Sequence, residues 1–185
     1  MTQSIIIGLN ETGRNLALLL AVATKQKIIL VDTNAVRKED IKLGYSQADV
    51  GYLRTDAVAG AIEDAISGAK ARTVSINQSI NEAKSVLTDL ISNGTQTIVF
   101  FCEGTKSTCT YLHNLIGSEC ADFVVSIITD DGASLVSCVK GLPPDSRLFT
   151  FGEPLKAKTA AMSQTLSVQA LQTALSWSNL PSLQT

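Results

Sequence analysis

Ser4-Ile5-Ile6-Ile7-Gly8-Leu9-Asn10-Glu11-Thr12-Gly13 opens the stretch that decides the fold, and Lys27-Ile28-Ile29-Leu30-Val31-Asp32 closes it. The run from Ser4 to Ile7 is short and apolar and stops at a glycine, as a strand buried on both faces does. The turn then opens a helical pattern, Leu16 to Ala23, and the second apolar run ends on an acid. Strand, glycine-bearing turn, helix and strand in this order make a βαβ unit, with parallel strands and a helix crossing between them.

The turn of such a unit has its own chemistry. Glycines permit a tight reversal and a close approach of backbone to phosphate. The first helical amides offer unpaired N–H groups to an anion, and an acid ending the second strand hydrogen-bonds ribose hydroxyls. Gly8, Gly13 and Asp32 are the residue types for these roles. Asn10 stands where the second glycine of the fingerprint falls, a replacement that asparagine's tolerance of positive φ permits. Glu11 sets a carboxylate where an anionic ligand approaches. The plainer alternative is a buried strand–turn–helix with a capping acid.

Outward from this unit, Val36 to Tyr52 is polar and mixed in charge, with Arg37-Lys38-Glu39-Asp40 and Lys42. It reads as a loop crossing the carboxyl ends of the strands, where open α/β sheets bind ligands. Thr55 to Ala69 reads as a helix with Val58, Ile62 and Ile66 on its buried face. Thr73 to Asn77 alternates as a third strand, and Ile80 to Ile91 is a helix presenting Ala83, Val86, Leu87, Leu90 and Ile91 and ended by Asn93-Gly94. Gln96 to Cys102 is the fourth strand, followed by a polar turn, Glu103 to Thr108, into a helix Cys109 to Ile116. Gly104-Thr105-Lys106-Ser107 is no phosphate loop, because Val99 stands where the upstream glycine is needed.

Asp122 to Thr129 and Ala133 to Val139 flank Asp130-Asp131-Gly132, a tight hairpin signal that predicts an antiparallel pair. Arg147 to Phe151 is an edge-strand candidate. Leu155 to Trp177 reads as a helix whose charges are Lys156 and Lys158, few enough to predict cover by the sheet or by a second subunit. The expected architecture is α/β: a Rossmann-like, doubly wound, mainly parallel sheet with an antiparallel pair in its C-terminal half. Its domain is 1–152, its last helix 153–178 and its tail 179–185.

The bulk properties exclude several classes. The 185 residues suit one domain, and a net charge of −2 gives no pull toward nucleic acid or an anionic membrane. Leu16 to Ala23 is too short to span a bilayer, and the first residues carry no leader pattern, so a cytoplasmic protein is expected. Cys102, Cys109, Cys120 and Cys138 form no CxxC pair, so no zinc site is expected. The single histidine, His113, lies in a helical stretch where a structural role outweighs a catalytic one.

Asp32-Thr33-Asn34-Ala35-Val36, then Asp40-Ile41, then Asp49-Val50-Gly51 with Arg54 and Ala57 beyond, resembles the ThiF/MoeB/HesA family of ubiquitin-activating-type adenylating enzymes. In the order of elements the resemblance runs on to Lys140. It implies an ATP site, with magnesium, at which the C-terminal glycine of a ubiquitin-like or sulfur-carrier protein is adenylated. On this resemblance Asp32 holds ribose, Gly8 and Gly13 are the loop glycines with Asn10 between them, and Arg54 takes the place of a phosphate-binding lysine and acts as the catalytic cation. Asp40 and Leu43 stand where the family has an asparagine and an arginine at the phosphates. Gly104 falls at the family's metal-associated aspartate, and Glu103 is the metal candidate one residue away.

These departures make the chain a degenerate member in which adenylation is expected to be impaired; if active, it would be an ATP-dependent adenylyltransferase. Family relatives act as pairs, which implies a homodimer or a pairing with an intact relative. Two further readings stand beside this one. The chain is a non-catalytic Rossmann-like binding or dimerisation module, or it binds NAD, which Asp32 favours and the Val36 to Arg54 pattern disfavours.

Overall fold

The computed structural model describes residues 2–69, 73–92, 96–104, 123–128, 134–139, 168 and 172. The expected helix at Cys109–Ile116, with His113, the hairpin turn at 130–132 and the edge strand at 147–151 lie outside the described residues. So does nearly all of 155–177, in which residues 168 and 172 are helical.

Strands β1 (Thr2–Ile7), β2 (Lys27–Val31), β3 (Thr73–Ile76), β4 (Gln96–Gly104), β5 (Phe123–Ile128) and β6 (Ser134–Val139) form one sheet in the order β3-β2-β1-β4-β5-β6. Neighbours from β3 through β5 run parallel, and β6 lies antiparallel to β5 with Phe123 opposite Val139. β1 is central: Gln3 pairs with Lys27 on one side, and Thr2 pairs with Gln96 on the other. The chain therefore builds outward from β1 through β2 to β3, then crosses to β4. Order reverses between β1 and β4, and the crevice at their carboxyl ends is the place where doubly wound sheets bind ligands.

Strand alternation sends successive side chains to opposite faces, and both faces are covered. Helices α1 (Glu11–Ala23) and α2 (Arg54–Ala65) pack on Ile6, Ile28, Leu30, Ile98 and Phe100. Helix α3 (Ile80–Ser92) packs through Ala83 and Leu87 on Ile5, Ile7, Ile29, Val31, Val99 and Phe101. Full burial of an isoleucine or leucine side chain stabilises by about 1.5–3 kcal/mol, which explains why unbroken apolar runs specify these central strands.

Several boundaries differ from the sequence expectation for physical reasons. β1 begins at Thr2, because the buried Gln3 finds partners: its amide donates to Leu90 O at 2.6 Å and to Thr97 Oγ1 at 2.9 Å. α2 stops at Ala65 rather than running to Ala69; Ile66 turns to φ −142° and still packs on the core. Val86 is 44% exposed, since Ala83 and Leu87 hold the buried line of α3. β4 continues to Gly104, so Glu103 is a strand residue and not part of a turn. Among the described residues no helix is long and apolar enough to cross a membrane.

Candidate functional site

The turn after β1 is built from hydrogen bonds that leave little slack. Gly8 takes φ +86°, a conformation L side chains rarely adopt, and its N–H donates to Val31 O at 2.9 Å, extending the β1–β2 ladder past the strands. The next amide, Leu9 N–H, donates to Asp32 Oδ2 at 2.7 Å. Asn10 is extended at φ −65° and caps α1: its side-chain oxygen accepts from Gly13 N–H at 3.0 Å. Asparagine is therefore present as a helix cap, and the positive φ of the turn belongs to Gly8. The Asn10 amide also donates to Cys102 O on β4, so one side chain spans the crevice between β1 and β4. Gly13 allows α1 to approach the strand, because a Cβ there would lie 2.0 Å from Gly8 O.

Asp32 follows β2 and is 6% exposed. Its Oδ1 accepts from Asn34 N–H at 2.7 Å and from the Asn34 amide at 2.8 Å. Its Oδ2 accepts from Leu9 N–H and lies 3.7 Å from Arg54 Nη1, an ion pair too long to be a hydrogen bond.

Arg54 is gripped more closely by Asp40. Nη2 stands 2.9 Å from each Asp40 oxygen, and Nε 3.3 Å from Oδ2. Asp40, 5% exposed, also accepts from Arg37 N–H at 2.9 Å. Burial works against its ionisation, but the Arg37 amide and the Arg54 guanidinium outweigh that and hold the carboxyl below its ordinary value. Burial likewise opposes the charge on Arg54, while Asp40 first and Asp32 next raise its pKa.

The segment between Asp32 and α2 closes on itself through an antiparallel bridge, Ala35 with Leu53. Val36 N–H donates to Tyr52 O at 2.8 Å and Gly51 N–H to Val36 O at 2.9 Å. Within it, 3-10 turns at Lys38–Leu43 and Gln47–Asp49 replace the plain loop expected from composition. Tyr45, 3% exposed, donates its hydroxyl to Leu9 O at 2.6 Å. Arg14 stacks over the Tyr45 ring, 5.4 Å from its centroid, and passes so near Gly44 that a Cβ there would meet Nη1 at 2.8 Å. Burial pushes the Tyr45 phenol upward.

Gly8, Asn10, Gly13, Asp32 and Arg54 are thus gathered at the carboxyl ends of β1, β2 and β4. Glu103 is a residue of β4, and among the described residues no three His, Cys, Asp or Glu side chains gather to hold a metal ion. Asn34, Tyr45 and the pairing of Asp40 with Arg54 escape a sequence reading, since they join residues of an aperiodic segment. The one legible signal is the acid three residues after Arg37, whose carboxylate reaches back to accept the Arg37 N–H at the start of the first 3-10 turn. A separate cavity of about 350 Å³ opens beyond Arg14, between Tyr52, Asp56, Gly60 and Asp64.

No family model matches the sequence, and no curated protein matches it. Solved structures do share its fold. A crystal structure of E. coli MccB with AMPCPP and selenomethionine MccA superposes with a TM-score of 0.71 at 16% identity, covering 95% of this chain and 55% of MccB's. E. coli MccB with ATP gives 0.68 at 16% identity, covering 95% and 55%. PaaA gives 0.65 at 17% identity, covering 96% of this chain and 57% of its own. The chain spans little more than half the length of these structures, and what it shares with them is the fold.

Proposed function

We propose that this chain is a nucleotide-binding domain of the ThiF/MoeB type. In this reading it binds an adenine nucleotide at the carboxyl ends of β1 and β2 and takes part in activating a peptide or small carrier protein, with adenylation itself impaired. The observation that carries the reading is the bond from Leu9 N–H to Asp32 Oδ2 at the point where strand order reverses. It sets the acid beside the glycine turn, as ribose recognition requires. Because the Arg54 contact is long, Asp32 Oδ2 retains capacity to accept from a hydroxyl. The resemblance of residues 32–57 to the family supports the same reading, as does the likeness to MccB, crystallised with ATP, with AMPCPP and with MccA.

Impairment follows from the chemistry of the residues. Adenylation needs cations aligned on the triphosphate as charge develops. Arg54 is shared between two carboxylates, and Leu43 replaces the loop arginine. The test is calorimetric. Adenosine or an adenine nucleotide binds the wild-type chain and loses at least about tenfold in affinity in Asp32→Ala, on the scale of a hydrogen bond to a charged group; an unchanged dissociation constant removes the assignment. With ATP, magnesium and a diglycine-ended carrier protein, pyrophosphate exchange is expected to run no faster than a no-enzyme control.

The closed Asp32–Arg54–Asp40 triad favours a second reading, a non-catalytic binding or dimerisation module. Pairing with a second copy or an intact relative belongs to both readings. Sedimentation equilibrium checks it, and a stable monomer at high concentration counts against the homodimer.

A further inference from the structure

A polyphosphate arriving at this site meets several donors that the chain has already used. The Arg54 fork holds both oxygens of Asp40 at 2.9 Å and stands 3.7 Å from Asp32. The turn amide of Leu9 is bonded to Asp32, and that of Gly13 to the Asn10 side chain. Two carboxylates and one guanidinium give the triad itself one net negative charge; Arg37 lies close enough to act on Asp40, and Glu11 stands in the first turn of α1.

To take the Nε/Nη2 edge of Arg54, a phosphate must displace Asp40 and leave that buried carboxylate with only the Arg37 N–H, next to a second anion, while the remaining Nη1 faces the Asp32 carboxylate at 3.7 Å. Each of these costs free energy. A ribose hydroxyl meets the opposite situation. It is neutral, it donates, and Asp32 Oδ2, which accepts one hydrogen bond from Leu9 N–H, keeps a lone pair for another.

We infer that Asp40 sets the ligand class of this site: it occupies the phosphate-binding arginine from within, so that the site takes a nucleoside or nucleoside monophosphate and rejects nucleoside di- and triphosphates. The inference rests on the nucleotide reading above and narrows it. The substitution of an acid for the family's asparagine at position 40 and of arginine for its lysine at position 54 form one device, because each supplies the other's partner. Asp40 is a specificity residue in this account; the bound ligand touches Asp32.

The experiment titrates adenosine, AMP, ADP and ATP into the full chain at fixed ionic strength, for the wild type and for Asp40→Asn, which keeps an acceptor for Arg37 N–H. Wild-type affinity is expected to fall from adenosine to ATP. In Asp40→Asn the order reverses, with ATP gaining on the order of tenfold or more as Arg54 becomes free for a charge-assisted bond to phosphate. Wild type binding ATP tighter than adenosine overturns the inference. So does an Asp40→Asn profile that matches the wild type, even while adenosine binding lost in Asp32→Ala keeps the nucleotide reading intact. If none of the four ligands binds either protein, the nucleotide reading falls and the inference falls with it. Circular dichroism reports whether Asp40→Asn folds; if it does not, the wild-type order of the four ligands decides.

Discussion

The Tyr45 hydroxyl donates a 2.6 Å hydrogen bond to the carbonyl of Leu9, joining the middle of the 35–53 segment to the glycine turn. Both partners are buried, at 3% and 0% exposure. The bond helps to set the height of the segment above the carboxyl ends of the strands, together with the Arg14 stack on the same ring and the grip of Asp40 on Arg54. Tyr45→Phe keeps the ring and its stacking with Arg14 but leaves the Leu9 carbonyl without this donor. The expected loss is about 1–2 kcal/mol, read as a lowered urea midpoint with unchanged slope.

Position 13 is expected to reject even a methyl group. In Gly13→Ala the new Cβ meets Gly8 O at 2.0 Å, an overlap that only backbone movement relieves. A loss of about 3 kcal/mol or more is expected in thermal or urea unfolding. Gly60→Ala is the matched control: nothing lies within 4 Å of that Cβ, the residue is inside α2, and alanine there should stabilise by about 0.5–1 kcal/mol.

Asn10→Ala removes two bonds at once, the cap on Gly13 N–H and the link to Cys102 O. A cost of about 1–2 kcal/mol is expected from the cap alone. Asn10→Asp restores the cap but not the link, since a carboxylate has no N–H for the Cys102 carbonyl. It should recover part of the loss, and a full recovery would show that the bridge across the crevice contributes nothing.

Stability is expected to fall at both ends of the pH range for different reasons. Asp40 has a folded pKa below its unfolded one, so its contribution is present above about pH 4 and is lost as pH falls through the lowered folded value. Tyr45 has a folded pKa above its unfolded one, so its contribution is present below about pH 10 and is lost as pH rises further. Chemical denaturation across pH shows whether Asp40→Asn flattens the acid limb and Tyr45→Phe the alkaline one.

What was legible in the sequence follows from what the chain repeats. β2 runs from Lys27 to Val31 as expected, since the polar Gln26 and Asp32 mark the two ends of its apolar run. The apolar period of α1 begins only at Leu16, because Glu11, Thr12 and Arg14 interrupt it, and the start of the helix is marked by the cap at Asn10. Asp32 is marked in the sequence by its place at the end of an apolar run. Its neighbour Asn34, which gives it two hydrogen bonds, had no period to mark it. The grip of Asp40 on Arg54 joins a 3-10 turn to the first residue of α2, and only the folded chain brings those charges together.

The register of the central strand also sets a timetable. β1 meets β2 as soon as Lys27 to Val31 is made, but its second edge waits for Gln96 to Gly104. At a synthesis rate of roughly 5–20 residues per second, that interval lasts roughly 4–15 seconds. Throughout it an apolar strand offers an unpaired row of amides and carbonyls to any other strand nearby. The nascent chain is therefore expected to need sheltering between its second and fourth strands, and its yield to depend on chaperone supply more than the stability of the finished fold would suggest.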